Sequence, residues 1–172
     1  MTKCPYCDFQ IIEGDDSCEQ CGQPLDDLHL AIPPTEMERS LLRDRISSLD
    51  PKTPVVVLRE STVREVLKTL VNNAIGCVFV TDGKELVGVF SERDALLRLN
   101  EQSAEHMDRP IADFMTADPQ SLLPTAKVAF AVRQMDLGGY RHIPVVQDGE
   151  ATGVVSVRDI LRFLSYRIAA TN

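Results

Sequence analysis

The chain has 172 residues, 44 % apolar and 26 % charged, which suits one ordinary globular domain, or two small ones with an appendage. Its net charge is −8, of which residues 1–28 carry −6, from one lysine against seven acidic residues. Such an acidic protein is a poor match for a long nucleic-acid track, which is gripped by Lys and Arg displacing counterions. The longest apolar stretches, such as "PVVVL", are far too short to span a bilayer. "MTKCPYC" has no apolar run behind its lysine, so it does not read as a secretion signal. Five cysteines with neither signal nor anchor place the expectation in the cytoplasm, where thiols stay reduced.

The first pattern along the chain is C-x2-C, ten intervening residues, and C-x2-C, at Cys4, Cys7, Cys18 and Cys21. Two thiolate pairs on tight turns present four sulfurs in the tetrahedral geometry that Zn2+ accepts without strain. Pro5, Gly22 and Pro24 suit those turns, and "CEQCGQPL" resembles a zinc-ribbon knuckle. A segment this small has no core, so the metal would supply its folding energy. Two other readings compete. "CPYC" is also a glutaredoxin-like redox motif, but a strand must precede that motif and residue 4 leaves no room for one. Iron in a rubredoxin-like site lacks any electron-transfer context. Four thiolates would leave no open position for a catalytic water. Cys77, in "CVFV", reads as a small buried hydrophobe. His29, His106 and His142 have no ligand spacing, and His29 reads as a solvated linker residue.

A linking helix is expected next. Pro33 and Pro34 forbid an earlier start, and Thr35 with Glu38 makes a capping-box pair. Met37, Leu41, Leu42, Ile46 and Leu49 form an apolar stripe that Pro51 ends, packing on its own domain or on a second subunit.

Beyond Pro51 the sequence says the same thing twice. "GVFSERD" at 88–94 returns as "GVVSVRD" at 153–159. In the first copy "VVVL" at 55–58 reads as a strand, and Thr62 with Glu65 caps a helix carrying Val63, Val66, Leu67, Leu70 and Val71. A hairpin follows, "CVFVT", "DGKE", "LVGVF", and Ser91 opens a helix with Ala95, Leu96 and Leu99 on its apolar side. In the second copy "SLLP" precedes a helix with Val128, Ala131, Val132 and Met135, stopped by Gly138 and Gly139. "HIPVVQ", "DGEA" and "TGVVS" repeat the hairpin, and "VRDILRFLSYRI" closes as a helix. Each copy reads β-α-β-β-α, and one alone would leave a sheet face open.

The order, duplication and spacing of "IGCVFVTDGKELVGVFSERD" and "FMTADPQSLLPTAKVAFAVRQMDLGGYRHIPVVQDGEATGVVSVRD" resemble a tandem pair of CBS domains, named for cystathionine β-synthase. The resemblance covers about 51 to 170 and implies an α+β fold, two β-α-β-β-α repeats packed as a pseudo-twofold pair. The expected domains are a ribbon at 1–28, a linker helix at 29–50, and repeats at 51–108 and 109–172. A Ser at the start of a helix and an Asp one turn later set free amides and a carboxylate side by side. The resemblance implies Asp94 and Asp159 on ribose, Ser91 and Ser156 near phosphate, and Val89 and Val154 facing adenine. It aims Arg141 of "YRHIPVV" into a cleft between the repeats, where it would hold phosphate; the plain alternative is a surface arginine with an acidic neighbour. The matching place in the first repeat, Ile75 beside Gly76, carries no charge, so the two sites are expected to be unequal. Arg93 and Arg158, on the first helical turns, read either as phosphate ligands or as solvated. The plain alternative for each Ser–Asp pair is a self-capping helix start.

The sequence departs from the family pattern at Val78, where the second repeat has Pro144, and in lacking a first-repeat match to Met115–Thr116. That puts contacts from 50–54 in doubt. The expected function is a non-catalytic ligand sensor for an adenine nucleotide (AMP, ADP or ATP) or S-adenosylmethionine. It would form a homodimer through its helices, with the ribbon docking a protein partner. The alternatives are a ribbon adaptor or transcription-linked protein using the repeats only as a dimerising scaffold. An enzyme fits poorly, since neither Ser91 nor Ser156 sits in a G-x-S-x-G elbow.

Overall fold

The fold comes from a computed structural model of the chain, and the structure describes residues 2–4, 7, 9–12, 16–23, 25, 36–99 and 103–169. Pro5, Pro24, His29, Pro33, Pro34 and Thr35 lie outside these, and with them the proposed Thr35 cap. The chain forms two compact units: Met1–Pro51 with Leu122–Ile143 and Val155–Asn172, and Lys52–Ser121 with Pro144–Val154.

The N-terminal part of the first unit opens with β1 (Thr2–Lys3) antiparallel to β2 (Gln10–Ile11), followed by α1 (Glu36–Arg43) and a 3-10 turn at Ile46–Leu49. The sequence predicts one apolar stripe from Met37 to Leu49, but the helix breaks at Asp44–Arg45, where Arg45 is extended (φ −97°, ψ 159°). The cause is tertiary. Val128 N–H donates to Asp44 O, Ile46 N–H to Ala126 O, and Ser47 N–H to Pro124 O, so backbone groups a longer helix would use are taken by 124–128. Ile46 and Leu49 are buried, whereas Leu42, expected on the same stripe, is exposed.

The second unit is built on a four-stranded sheet. β3 (Val56–Leu58) runs parallel to β4 (Cys77–Asp82), with α2 (Val63–Asn72) as the crossover. β4 turns through Gly83 (φ +60°) into antiparallel β5 (Glu85–Ser91), which runs straight into α3 (Glu92–Arg98). After α4 (Ser103–His106) and a 3-10 turn at Ile111–Asp113, β6 (Thr116–Ala117) pairs with the outer edge of β5. The core is Val63, Val66, Leu70, Val78, Val80, Phe90, Leu99, Ile111 and Phe114. Val71 and Leu96, expected on apolar faces, instead point out, at 78 % and 82 % exposure. They sit at the margins of stripes whose buried width covers only one sheet face.

The Thr62–Glu65 capping box forms as the sequence predicts, with Thr62 N–H donating to Glu65 Oε2 at 2.8 Å and Glu65 N–H to Thr62 Oγ1 at 3.3 Å. The backbone and side-chain bonds from Thr62 hold the Glu65 carboxyl below the ordinary glutamate range. Thr62→Ala is expected to lower stability by about 1 kcal/mol, read as a shift in the urea midpoint at unchanged slope. A depressed carboxyl stabilises the fold above its unfolded pKa. Its share should therefore vanish as pH falls through the folded value.

The second repeat supplies α5 (Val128–Gly138), β7 (His142–Gln147), β8 (Glu150–Ser156) and α6 (Val157–Ala169), and α1 packs against α5 and α6. Gly139, at φ +64°, takes the left-handed cap that the Gly-Gly pair predicts. The expected first strand at "SLLP" is a correction. Between Ala117 and Val128 no strand forms, and Leu122 and Lys127 enter only isolated bridges. Pro119 and Pro124 bracket this stretch and remove two ladder donors, although Leu122 itself is buried. The outer hairpin of this repeat belongs to the second unit. There Leu86 N–H donates to Gly149 O, and Lys84 lies 3.0 Å from Glu150. Among the described residues no helix is long and apolar enough to cross a membrane.

Candidate functional site

The four ribbon cysteines converge. Cys4 and Cys21 sulfurs lie 3.8 Å apart, those of Cys7 and Cys18 3.7 Å apart, and all four fall within 4.8 Å of one another. Zinc–sulfur bonds of about 2.3 Å at tetrahedral angles put sulfurs about 3.8 Å apart, so the cluster has the dimensions of a four-thiolate site. Tight turns create it: Cys4 N–H donates to Phe9 O, Cys18 N–H to Gln23 O and Gly22 N–H to Cys18 O, with Gly22 left-handed at φ +67°. Burial pushes the Cys18 thiol up, but amides of Cys21 and Gln20 and the thiols of Cys4 and Cys21 outweigh it and bring it down to about 7. Cys21 moves the opposite way, raised chiefly by burial. Cys77 is the buried hydrophobe its sequence predicts. Burial, then the charges of Glu92 and Asp94, push it up to about 12, which disfavours the reactive thiolate.

The first repeated peptide sits where β5 becomes α3 with no intervening loop. Ser91 is extended (φ −119°, ψ 166°) and caps the helix. Its N–H and hydroxyl both donate to Asp94 Oδ2, at 2.9 and 2.6 Å, and Asp94 N–H returns a bond of 3.3 Å to Ser91 Oγ. Gly76 O accepts from Glu92 N–H, tying the start of β4 to the helix start. Val89, half-buried, stands opposite Phe79 on one side and Thr116 on the other. Gly88 is required by close approach, because a Cβ there would lie 2.3 Å from the Met115 sulfur. Ile75 packs against the core and Arg93 is exposed. Two further residues join the group. Thr116 Oγ1 lies 3.5 Å from Asp94 Oδ1, and Arg98 donates to Thr116 Oγ1 at 2.7 Å while standing 3.4 Å from the same carboxylate oxygen.

The second peptide repeats the geometry in the other unit. Ser156 N–H and hydroxyl donate to Asp159 Oδ2 at 2.8 and 2.6 Å, and Arg162 lies 3.6 Å from Oδ1. Asp159 is buried, 4 % exposed. Arg141 is exposed, and its carbonyl accepts from Val157 N–H at the first turn of α6. Arg158 is exposed as well. Val154 is half-buried and exchanges two backbone bonds with Lys52, of 2.9 and 3.1 Å. The 50–54 segment therefore meets β8 although it lacks the Met-Thr pair.

Ser91, Asp94, Val89, Ile75, Gly76, Arg93 and Val154 thus fall in one compact unit, and Ser156, Asp159, Arg141 and Arg158 in the other. Sequence reasoning named Met115–Thr116 only as a motif and passed over Arg98. The position of Arg98 in the repeat, 65 residues before Phe163, gave no repeated signal. Chemically, each start offers a buried or half-buried carboxylate that can accept from a diol, while the Ser91, Glu92, Asp94, Ser156 and Val157 amides already donate within the protein.

Known proteins share the family pattern and the fold. The family model for the CBS domain matches twice, at residues 46–101 and 111–166. A CBS domain-containing protein of Arabidopsis thaliana is 28 % identical over 133 residues, which cover 77 % of this chain and 23 % of that protein. The chain therefore spans about a quarter of that relative's length. Among solved structures, a CBS domain protein from Pyrobaculum aerophilum complexed with AMP superposes with a TM-score of 0.63 at 32 % identity, covering 74 % of this chain and 99 % of that one. CBSX2 in complex with AMP gives 0.60 at 26 %, covering 73 % and 98 %. With one family model fitting both halves of the duplication, the chain belongs to the CBS-domain family.

Proposed function

We propose that the chain is a regulatory module without catalysis of its own, which binds an adenine nucleotide, AMP foremost, at its two Ser–Asp helix starts. The observation that carries this is the duplicated carboxylate: Asp94 and Asp159 are each fixed through Oδ2 by Ser91 or Ser156, which sets the orientation of the whole group. A carboxylate so held is pre-organised to accept from a ribose diol. AMP in the Pyrobaculum relative and in CBSX2 supports the same class of ligand. Signalling then requires that AMP favour one conformation of the protein over another. Exposed Leu96 and Leu97 on α3, and Leu161, Tyr166 and Ile168 on α6, supply apolar helix surface for pairing two copies.

The ribbon belongs to this reading as a structural Zn2+ site of Cys4, Cys7, Cys18 and Cys21 that docks a protein partner. Thiolate spacing near that of a zinc tetrahedron supports it. When bound, the ion supplies a fixed cross-link. The residues do the rest, turning the two knuckles and directing amides at sulfur.

One observation favours a second reading, a ribbon adaptor with the repeats as scaffold only: both Ser–Asp pairs already close on themselves as caps. A melting panel with AMP, ADP, ATP, S-adenosylmethionine and NAD separates the two. A ligand at 100 times its Kd stabilises by about 2.7 kcal/mol, a shift of several degrees for a domain of this size. The nucleotide reading expects AMP to raise Tm by that order. A flat panel leaves the scaffold.

A further inference from the structure

The two Ser–Asp helix starts are alike, but the helices behind them are anchored differently. α6 is held by apolar contact, with Ile160 and Phe163 at 6 % and 9 % exposure. In α3 no residue from Glu92 to Arg98 is fully buried; half-buried Ala95 packs on the core, and Leu99, just past the helix end, is buried. To this contact the last residue of α3 adds a polar one, through the Arg98 guanidinium.

Arg98 donates through one terminal nitrogen to the carbonyls of Phe114 and Met115, and through the other to Thr116 Oγ1. That second nitrogen is also 3.4 Å from Asp94 Oδ1. The planar fork thus bridges the turn that enters β6, where Thr116 stands opposite Val89, and the carboxylate one helical turn before Arg98. Lysine offers one point charge and cannot span these acceptors together. Counting 65 residues on, the second repeat has Phe163 in this place, so the clamp belongs to the first start alone.

We infer that Arg98 is a positioning residue for the first nucleotide site, fastening residues 114–116 beside Asp94 so that the Asp94 carboxylate and Thr116 hydroxyl stand in one fixed arrangement. The inference rests on the nucleotide reading above and adds to it. The first site carries a polar clamp to residues 114–116, and at the second the matching position is Phe163. Its affinity should therefore respond to Arg98 while the second site's does not.

The test is AMP titration by calorimetry in the full-length Asp159→Ala protein, where the first site dominates, with Arg98→Met, Arg98→Lys and Leu99→Val added one at a time. Methionine keeps the aliphatic stem and removes the fork. Leu99→Val loosens the same helix end by packing alone, which controls for a general loss of stability. Expected is a roughly 10-fold weaker Kd for Arg98→Met, the cost of a charge-assisted contact, with partial recovery in Arg98→Lys and no change in Leu99→Val. An unchanged Kd in Arg98→Met, or an equal loss in Leu99→Val, overturns the inference. If the Asp159→Ala parent and the wild type both fail to bind AMP, the nucleotide reading itself falls. Hydrogen exchange at Thr116 and Ala117 then decides the clamp: faster exchange in Arg98→Met upholds it, and unchanged exchange overturns it.

Discussion

Stripping the metal from the ribbon is expected to unfold the cysteine segment while leaving the rest of the protein folded. Its described buried apolar side chains are Cys4, Ile11, Cys18 and Leu25, two of them proposed ligands, which is far too little to offset chain entropy. Structural zinc contributes about 10–16 kcal/mol in apparent binding energy at neutral pH, and in a segment without a core that energy is folding energy. A strong chelator should release about one zinc per chain and erase amide protection around Cys4, Cys18 and Gly22. The core of Val63, Val66, Val78, Val80 and Phe90 lies in the other compact unit and should keep its protection. Cys18→Ser should reproduce the loss without a chelator, whereas Cys77→Ser should leave metal content unchanged. Ribbon amides as protected after chelation as before would contradict the metal reading. The ribbon also touches the repeat: Gln134 on α5 donates to Gln23 Oε1 at 3.4 Å, two residues beyond Cys21. Exchange at α5 should report metal loss in attenuated form.

Asp159→Ala and Asp159→Asn together divide ligand binding from capping. The carboxylate accepts two bonds from Ser156 through Oδ2 and is nearly fully buried. Alanine removes the cap, which costs about 1 kcal/mol of stability, and also any bond to a ligand. Asparagine keeps an acceptor for the Ser156 amide but loses the charge, so it should stay close to wild type in Tm. Charge-assisted bonds are worth about 1.5–3 kcal/mol, so the nucleotide reading expects both variants to lose about 10- to 150-fold in AMP affinity at the second site. Pure capping expects Asp159→Ala to melt earlier and neither variant to bind differently.

The repeat itself was legible in the sequence because physics wrote it in short-range code. Thr62 and Glu65 announce a helix start by spacing, Gly83 and Gly139 announce left-handed turns by lacking a Cβ, and four cysteines announce their cluster by two equal pairs. Long-range competition is where the reading failed. The linker stripe is periodic through Leu49, yet the helix stops because 124–128 takes its backbone groups. "SLLP" has apolar strand letters, yet prolines on both sides leave it without a ladder. Val71 and Leu96 match a helical period and still face out, since a period gives a direction but not the width of the surface waiting there. Arg98 shows the limit most clearly. Its hydrogen-bond acceptors, 16 to 18 residues away, include the Met115–Thr116 motif, yet nothing in the letters ties that motif to Arg98.

The Ser–Asp pairs were legible as a motif but ambiguous as chemistry. The structure sharpens the ambiguity, because the same atoms that cap the helices would orient the carboxylates for a diol. That overlap explains why family membership alone does not assign a ligand.

The most direct measurement is calorimetric titration of AMP into the wild-type protein and into the Asp94→Asn/Asp159→Asn double variant, which retains both caps. Saturable binding by the wild type and an affinity about 10- to 150-fold weaker in the double variant is the result this account expects, since each site loses a charge-assisted contact. Equal isotherms from the two proteins would contradict it, leaving the paired acids as helix caps and nothing more.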